Sequence, residues 1–432
     1  MNDSQIEHAV MRKVIRRFVP LLFICFVVAF LDRVNVGFAA LTMNHDIGLS
    51  ASTFGLGAGL FFVSYFLLEI PSNLILERVG ARRWIARIMI TWGVLSACTA
   101  LVQGPHSFYV IRLLLGAAEA GFSPGVTFFF TLWIPSRYRA GVIATYLAAM
   151  PVASVIGSPL ASACLSLEGV LGLHGWQWMF LINALPALLL APVVYFMLSD
   201  HPCQAGWLNE EEKNWLENAL RADRSLVQVD AHDGILRFLL KPKVIILSIA
   251  YFGTVGFNYG LSFFLPQIIH QFGLSLFATG LVNVIPFALA VVGMRFLARS
   301  SDARGERKYH LVLAIVLAAL ALGLSTGPFT ATARFALLCL AAIGAFSALV
   351  VFWAHCSDFL DATGMAAGMA MINSVGNLSG FAYLYMVGFV KEVTGSFAGG
   401  LRIISAVGAL AAVLILIGSN PQRSRAVEKP AV

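Results

Sequence analysis

The sequence predicts an all-α membrane protein in which twelve transmembrane helices form two six-helix bundles. Apolar residues make up 59% of the 432 residues and charged residues only 12%, whereas ordinary soluble domains carry about 25% charged residues. The mean hydropathy is +0.82, and the long unbroken apolar runs favour helices over alternating barrel strands. About 20 apolar residues cross a bilayer. The predicted spans are 18–40, 54–77, 83–103, 107–131, 139–165, 177–198, 244–269, 275–299, 309–327, 334–358, 364–390 and 400–419.

The distribution of positive charge predicts the orientation of these spans. The net charge is +7, with 29 Lys and Arg residues. Arg33 and Arg112 lie inside predicted spans, and only Arg334, Lys391 and Arg402 fall on the side opposite the termini. Positive residues mark the cytoplasmic face, so we expect both termini in the cytoplasm, in a cell (inner) membrane. The basic excess therefore indicates topology and a lipid bilayer partner, and argues against nucleic acid binding.

A polar stretch divides the chain into two halves. We predict an N-terminal bundle at 1–199, a cytoplasmic linker at 200–243 and a C-terminal bundle at 244–432. A short charged motif recurs after the second and eighth spans, with an acid, a Gly and two cations at the same spacing. Duplicated halves around a central cavity are a known transporter plan. The predicted cytoplasmic gate consists of Glu77, Arg78, Arg82, Arg83, Asp302 and Arg307; the alternative is that these cations only hold the loops inside.

The first of these loops resembles that of the major facilitator superfamily, Gly-x-x-x-Asp-Arg-x-Gly-Arg-Arg, with Asn73 and Glu77 departing from it. A narrower resemblance, to the anion:cation symporter family, covers nearly the whole chain. It rests on LDRVNVGFAAL, FFVSYFLLEIPSNLILERVGARRWIARI, RLLLGAAEAGFSPG, VIGSPLASA, GWQWMF and INSVGNLSGF. The chain looks most like bacterial tartrate transporters, although related carriers of sugar acids and aromatic acids share much of this sequence.

Charged residues within the predicted membrane spans carry the functional interpretation. Asp32 and Arg33 lie about 14 residues, or roughly 21 Å, into the first span. Arg112 and Glu119 lie two helical turns apart in the fourth span, on a similar face. A charge at the bilayer centre costs about 2.5–3.5 kcal/mol even on lenient scales, so these four side chains are expected to meet in one cavity. The alternative is a permanent ion-pair staple between the two helices.

Together with the resemblance, this pattern predicts a proton-coupled importer of a small organic acid anion, a tartrate-like hydroxy acid or a sugar acid, that works by alternating access. Asp32 and Glu119 would carry protons, while Arg33 and Arg112 would bind the anion, because a guanidinium donates two parallel hydrogen bonds to a carboxylate. The resemblance to symporters places coupling and substrate contact at these same positions. Two carboxyls could carry two protons, which suits a dianion. Further predicted substrate contacts are Tyr65, Asn258, Tyr259, Asn373 and Asn377, each of which could instead bond between helices.

Other functions remain open at this point. An exporter or antiporter of the same fold, an importer of an aromatic carboxylate, and a channel or sensor are the alternatives. An enzyme is not expected, since the sequence has no convincing catalytic motif. No cofactor or metal is expected, and the six Cys have neither metal nor disulfide spacing. His355 in the tenth span is interpreted as a neutral packed residue rather than a third proton site. The sequence gives no evidence on oligomeric state, with a monomer as the default.

Overall fold

The structure is a computed structural model, and it describes residues 3–225, 241–359 and 365–418. Residues 226–240 of the predicted linker and 419–432 of the predicted C-terminal bundle lie outside this part. Within the described residues the secondary structure is entirely helical, as predicted. The described part of the linker contains the helix Glu210–Ser225, and Lys13 of the first span donates to Glu212 of this helix at 2.6 Å. The domain boundaries at 199 and 244 stay predictions.

The spans are named by their order along the chain. The first half contains Asp3–Ala39, Ala51–Val79, Ala81–Cys98, Pro105–Glu119 with Phe122–Trp133 (the fourth span), Ser136–Leu147 with Ala149–Leu165 (the fifth) and Gly175–Met197. The second half contains Pro242–His270, Leu276–Arg304, Lys308–Leu324, Ala331–Phe359, Met365–Thr394 and Ala398–Gly418. The short helix Met43–Asp46 follows the first span.

In the described part of the chain, ten of these helical segments are long and apolar enough to cross a membrane. Of the other two predicted spans, Lys308–Leu324 is apolar but shorter. Met365–Thr394 has 30 residues and is interrupted by polar Asn373 and Asn377. Because the number of spans is even, the two ends of the described chain lie on the same side. The opposite side is called the far side below.

In the described part of the chain, the two halves pack against each other mainly through three pairs of spans: the second against the eleventh, the fifth against the eighth and the first against the seventh. Glycines permit the closest approach, since a Cβ on Gly55 would lie 2.4 Å from the carbonyl oxygen of Leu384. Near the far side, Asn283 donates to Ser158 at 2.8 Å and Ser162 donates to the Leu276 carbonyl at 3.0 Å. The halves are therefore closed against each other on the far side.

The fourth span is not the continuous helix predicted for 107–131. Its helix ends at Glu119, and a new one begins at Phe122. Gly121 has a φ of +88°, a left-handed conformation that glycine adopts readily and other residues adopt at a cost. A backbone break within a membrane is tolerated only where protein groups satisfy the freed polar atoms. Here the Ser72 hydroxyl donates to the Ala120 carbonyl at 2.7 Å.

Candidate functional site

The structure brings together the four charged side chains predicted to meet. Arg33 donates a hydrogen bond to Glu119, which joins the first and fourth spans through a buried ion pair. The neighbouring Asp32 points elsewhere and accepts a hydrogen bond from Ser96 of the third span. Adjacent residues on a helix point in directions about 100° apart, so the first span presents its acid and its cation to different neighbours.

An aromatic ring lies between the two arginines. The Phe61 ring centroid is 5.1 Å from the Arg33 guanidinium carbon and 4.9 Å from that of Arg112. Tyr65, one turn along the second span, lies 5.1 Å from Arg33 in the same way. A cation over an aromatic face is stabilised by the ring quadrupole, by about 2 kcal/mol or more when both groups are desolvated. The second span thus holds both guanidinium groups in place without neutralising their charge.

The cluster is enclosed in this conformation. Asp32, Arg33, Arg112 and Glu119 are only 0–7% exposed. The sequence predicts a cavity lined by these side chains, whereas in this conformation protein surrounds them. The closed far side accounts for part of the difference, because the Phe62 ring beside Arg33 packs 4.5 Å from that of Tyr259 in the other half.

Several polar atoms in the cluster lack a partner among the described residues. They include Nε of Arg112, which is buried, and the second carboxyl oxygens of Asp32 and Glu119. The one hydrogen bond shown for Arg112 is a long one, from Nη2 to the Ala58 carbonyl at 3.4 Å. Burying a donor or acceptor without a partner costs about 1–3 kcal/mol. The cluster therefore has donors available for an anion and acceptors available for protons.

The break in the fourth span sets the position of Glu119, the last residue of its first helical segment. The Ser72 hydroxyl also accepts a hydrogen bond from Trp84 Nε1 at 3.0 Å, which links the second, third and fourth spans. A Cβ on Gly121 would lie 2.3 Å from the Ser72 hydroxyl oxygen. This close approach fixes the end of the helix that carries Glu119, and the GFSPG sequence is the local signal of an irregularity at this point.

The predicted polar contacts divide into two groups. Tyr259 donates to the Asn377 side-chain oxygen at 3.3 Å, which links the seventh and eleventh spans near the cluster. The Asn258 amide instead donates to the main-chain carbonyls of Thr254 and Ala345, at 3.4 and 3.3 Å. In this conformation Asn258 serves helix packing, the alternative considered from its sequence. His355 is buried at 6% exposure within the tenth span.

Sequence reasoning missed a further buried acid inside a predicted span, Glu69. Its carboxylate accepts hydrogen bonds from Asn373 at 2.9 Å and from Asn377 at 3.4 Å, both in the eleventh span. Glu69 is 5% exposed. The sequence contained the signal, because Glu69 is an acid within predicted span 54–77 and the cost of a buried charge in the membrane also selected Asp32. Glu69 follows Tyr65 by one helical turn.

The residues of the predicted gate lie at the ends of the spans on the termini side. Arg307 donates to Asp302 within the loop that joins the eighth and ninth spans. At the matching loop, the Arg82 main-chain N–H donates at 2.9 Å to Asp200, which follows the sixth span, and the Arg82 guanidinium lies 4.9 Å from the Tyr195 ring centroid. These contacts hold each loop within its own half. The opening and closing of a gate by Glu77, Arg78, Arg82, Arg83, Asp302 and Arg307 stays a prediction.

Comparison with known proteins identifies the family. The sequence model described as Major Facilitator Superfamily matches residues 22–383. The chain belongs to the Major Facilitator Superfamily. An Agrobacterium vitis protein provisionally named a tartrate transporter is 48% identical over 418 residues, which cover 97% of this chain and 96% of that protein. An Acinetobacter baumannii protein named a quinolone resistance transporter is 41% identical and covers 93% of both chains.

Solved structures confirm the fold of this major facilitator protein. The xylose transporter of E. coli in an inward-open conformation superposes with a TM-score of 0.75 at 14% identity, covering 95% of this chain and 98% of that one. A bacterial homologue of the human lysosomal transporter Spinster gives a TM-score of 0.72 at 17% identity, covering 92% and 97%. The predicted fold class is confirmed, and the protein is a transporter rather than an enzyme.

Proposed function

We propose that this protein is a proton-coupled importer of a small organic acid anion, of the hydroxy-acid class that includes tartrate. The observation that carries the proposal is the buried ion pair between Arg33 and Glu119. While Glu119 is ionised, it occupies a guanidinium donor that a substrate carboxylate needs. Protonation of Glu119 removes its charge and releases Arg33 to the substrate. Proton binding and anion binding therefore favour each other, which is the condition for symport.

Arg112 and Asp32 supply the second half of the proposed site. The buried Arg112 Nε without a partner among the described residues is suited to one carboxylate of the substrate. The buried second oxygen of Asp32 is suited to a proton. Two arginines and two carboxyls thus match a dicarboxylate with two protons. That combination carries no net charge. The membrane potential, which is worth about 2.3 kcal/mol for each elementary charge moved across 100 mV, therefore does not oppose import.

The names of relatives support the hydroxy-acid class and also one alternative. The name of the Agrobacterium vitis relative refers to tartrate. The relative named for quinolone resistance favours export of a drug-like compound as a second candidate. We place the protein in the cell (inner) membrane with cytoplasmic termini, because the positive charges concentrate on the termini side.

Transport by purified protein in proteoliposomes tests the proposal. Tartrate, a sugar acid and an aromatic carboxylate are supplied outside, with a proton gradient directed inward. Accumulation of tartrate that a protonophore abolishes supports the proposal. Preferred uptake of the aromatic acid would instead indicate that the substrate is an aromatic carboxylate. Accumulation driven only by the opposite gradient, or uptake of a quinolone in place of the acids, would favour the exporter.

A further inference from the structure

Glu69 occupies an unusual place in the interface between the two halves. It lies on the second span, and its two hydrogen-bond partners, Asn373 and Asn377, lie on the eleventh. The two asparagines are four residues apart and therefore share a helix face. Both carboxylate oxygens are engaged, one by each amide. The contact is thus a two-point bridge between halves, and it breaks when the second and eleventh spans separate.

In the cluster around this bridge, the buried carboxyls outnumber the buried guanidinium groups. Asp32, Glu69 and Glu119 are three buried carboxyls, and Arg33 and Arg112 are two buried guanidinium groups. Arg33 is already paired with Glu119. Among the described residues, the charged and titratable groups that interact electrostatically with Glu69 include Arg33, Tyr65, Tyr251 and Tyr259. Amide donors are the direct partners of Glu69, and they stabilise its ionised form.

We propose that Glu69 is a carboxylate clasp that holds the halves together and occupies Asn373 and Asn377 until a substrate anion takes its place. Ionised Glu69 accepts from both amides. Protonated Glu69 presents one hydroxyl donor to a group that is itself a donor, so the bridge weakens. The inference rests on the proposed function in one respect, the identification of Asn373 and Asn377 as substrate contacts. The clasp itself is a property of the transporter without substrate.

Substrate exchange follows from the same geometry. A substrate carboxylate that takes the two amide N–H groups now bonded to Glu69 displaces the Glu69 carboxylate, because each of these N–H groups has one acceptor. The released Glu69 then lies beside an added anion, and like-charge repulsion favours its protonation. One proton from solution adds to one carboxylate oxygen, and no other bond is made or broken. Anion binding is thereby coupled to one proton beyond those of Asp32 and Glu119.

The first arm of the test measures the clasp without substrate. Spin labels on His45→Cys and Val393→Cys report the distance between the halves on the far side, where both side chains are exposed. Cys98→Ser and Cys203→Ser remove the two thiols that are not buried. Double electron–electron resonance measures the distances between the two labels from pH 8 to pH 5. As the pH falls, the ratio of the short-distance to the long-distance population is expected to fall roughly fivefold or more. In Glu69→Gln the pH dependence should disappear.

A matched control separates the carboxylate from a general loosening of the interface. Asn283→Ala removes the hydrogen bond from Asn283 to Ser158, which also joins the halves but contains no titratable group. This variant is expected to lower the short-distance population equally at every pH and to keep the pH dependence of the parent. Asn373→Ala should reproduce the loss of pH dependence seen in Glu69→Gln. A parent whose distances do not change with pH, or a Glu69→Gln protein that retains the change, overturns the clasp.

The second arm adds tartrate to the same proteins. If the anion displaces Glu69, log Kd of the parent rises with pH about one unit per pH unit more steeply than that of Glu69→Gln. Equal slopes would overturn the exchange of Glu69 for substrate. A parent that binds none of the tested acids would instead contradict the proposed substrate class, and the substrate-free distances would still decide whether the clasp exists.

Discussion

Arg33 of the first span and Glu119 of the fourth span form a buried ion pair within the membrane. Removing one partner of a buried pair leaves an uncompensated charge and typically costs about 3–5 kcal/mol. Protonating Glu119 is a smaller change, because the carboxylic acid remains in place and can still accept a hydrogen bond. If the pair couples protons to transport, protonation opens it and loss of the proton closes it, whereas a purely structural staple would stay closed. Transport measurements on single variants distinguish these cases.

Arg112→Ala is expected to abolish accumulation of the organic anion, because the site loses a charged donor. Arg112→Lys keeps the charge but not the planar fork, and should raise KM roughly tenfold or more. Initial rates in proteoliposomes give both values. Arg402→Ala is the control, since Arg402 is exposed near the far side and donates to Thr326. Normal uptake by Arg112→Ala in folded, inserted protein would remove Arg112 from the site.

Glu119→Gln is expected to separate anion transport from protons. The amide oxygen can still accept from Arg33, but it cannot bind or release a proton near neutral pH. Exchange of labelled for unlabelled anion should continue, while accumulation driven by a proton gradient should be lost. Counterflow and gradient-driven uptake measured on one preparation separate the two. Undiminished proton-driven accumulation would show that Glu119 is not a coupling group.

Ser72→Ala is expected to weaken the break in the fourth span. The Ala120 carbonyl loses its hydroxyl donor and Trp84 loses its acceptor, which should cost about 1–3 kcal/mol of unfolding free energy. Transport should fall as well, because Glu119 adjoins the break. Ser64→Ala is the matched control, since its hydroxyl donates to Phe61 on its own helix at 3.1 Å. Thermal unfolding in detergent should separate the two variants, and equal melting temperatures would contradict this role for Ser72.

Glu168→Gln is expected to lower stability in a pH-dependent way. In the loop on the far side, the Gly175 N–H donates to Glu168 at 2.7 Å and lowers the pKa of its carboxyl. The hydrogen bond between His174 and Glu168, also 2.7 Å, raises the pKa of the His174 imidazole. The Glu168 contribution is present above its usual pKa of 4.5 and is lost as pH falls through its lower folded value. The His174 contribution is present below its usual pKa of 6.5 and is lost as pH rises through its higher folded value.

The two contributions overlap between pH 4.5 and 6.5. There the melting temperature of Glu168→Gln should lie about 1–2 °C below that of the parent, because exposed ion pairs stabilise little. Above this range the difference should shrink as His174 loses its charge. Melting curves from pH 4 to pH 9 measure the profile, with His174→Gln as the control that retains only the Glu168 contribution. A difference independent of pH would contradict the assignment.

Much of the site was predictable because it depends on the cost of charge in a membrane. That cost alone selected Asp32, Arg33, Arg112 and Glu119, and the structure brings all four together. The same criterion applied to Glu69 would have completed the set. The break after Glu119 was less accessible from sequence, because a Gly–Phe–Ser–Pro–Gly stretch can bend, cap or interrupt a helix, and the Ser72 hydroxyl that satisfies the freed carbonyl comes from another span.

The sequence by itself determined the helical class, the approximate spans and four of the buried charges, because hydropathy and helix length are properties of neighbouring residues. Tertiary structure decided which groups are partners. Asp32 and Arg33 are adjacent in sequence yet bind Ser96 and Glu119 on different spans. Glu69 meets Asn373 across 304 positions of sequence. Such pairings depend on how whole helices pack. Close van der Waals contacts at glycines such as Gly55 help to set that packing, and they join residues too far apart in sequence for a local pattern to predict.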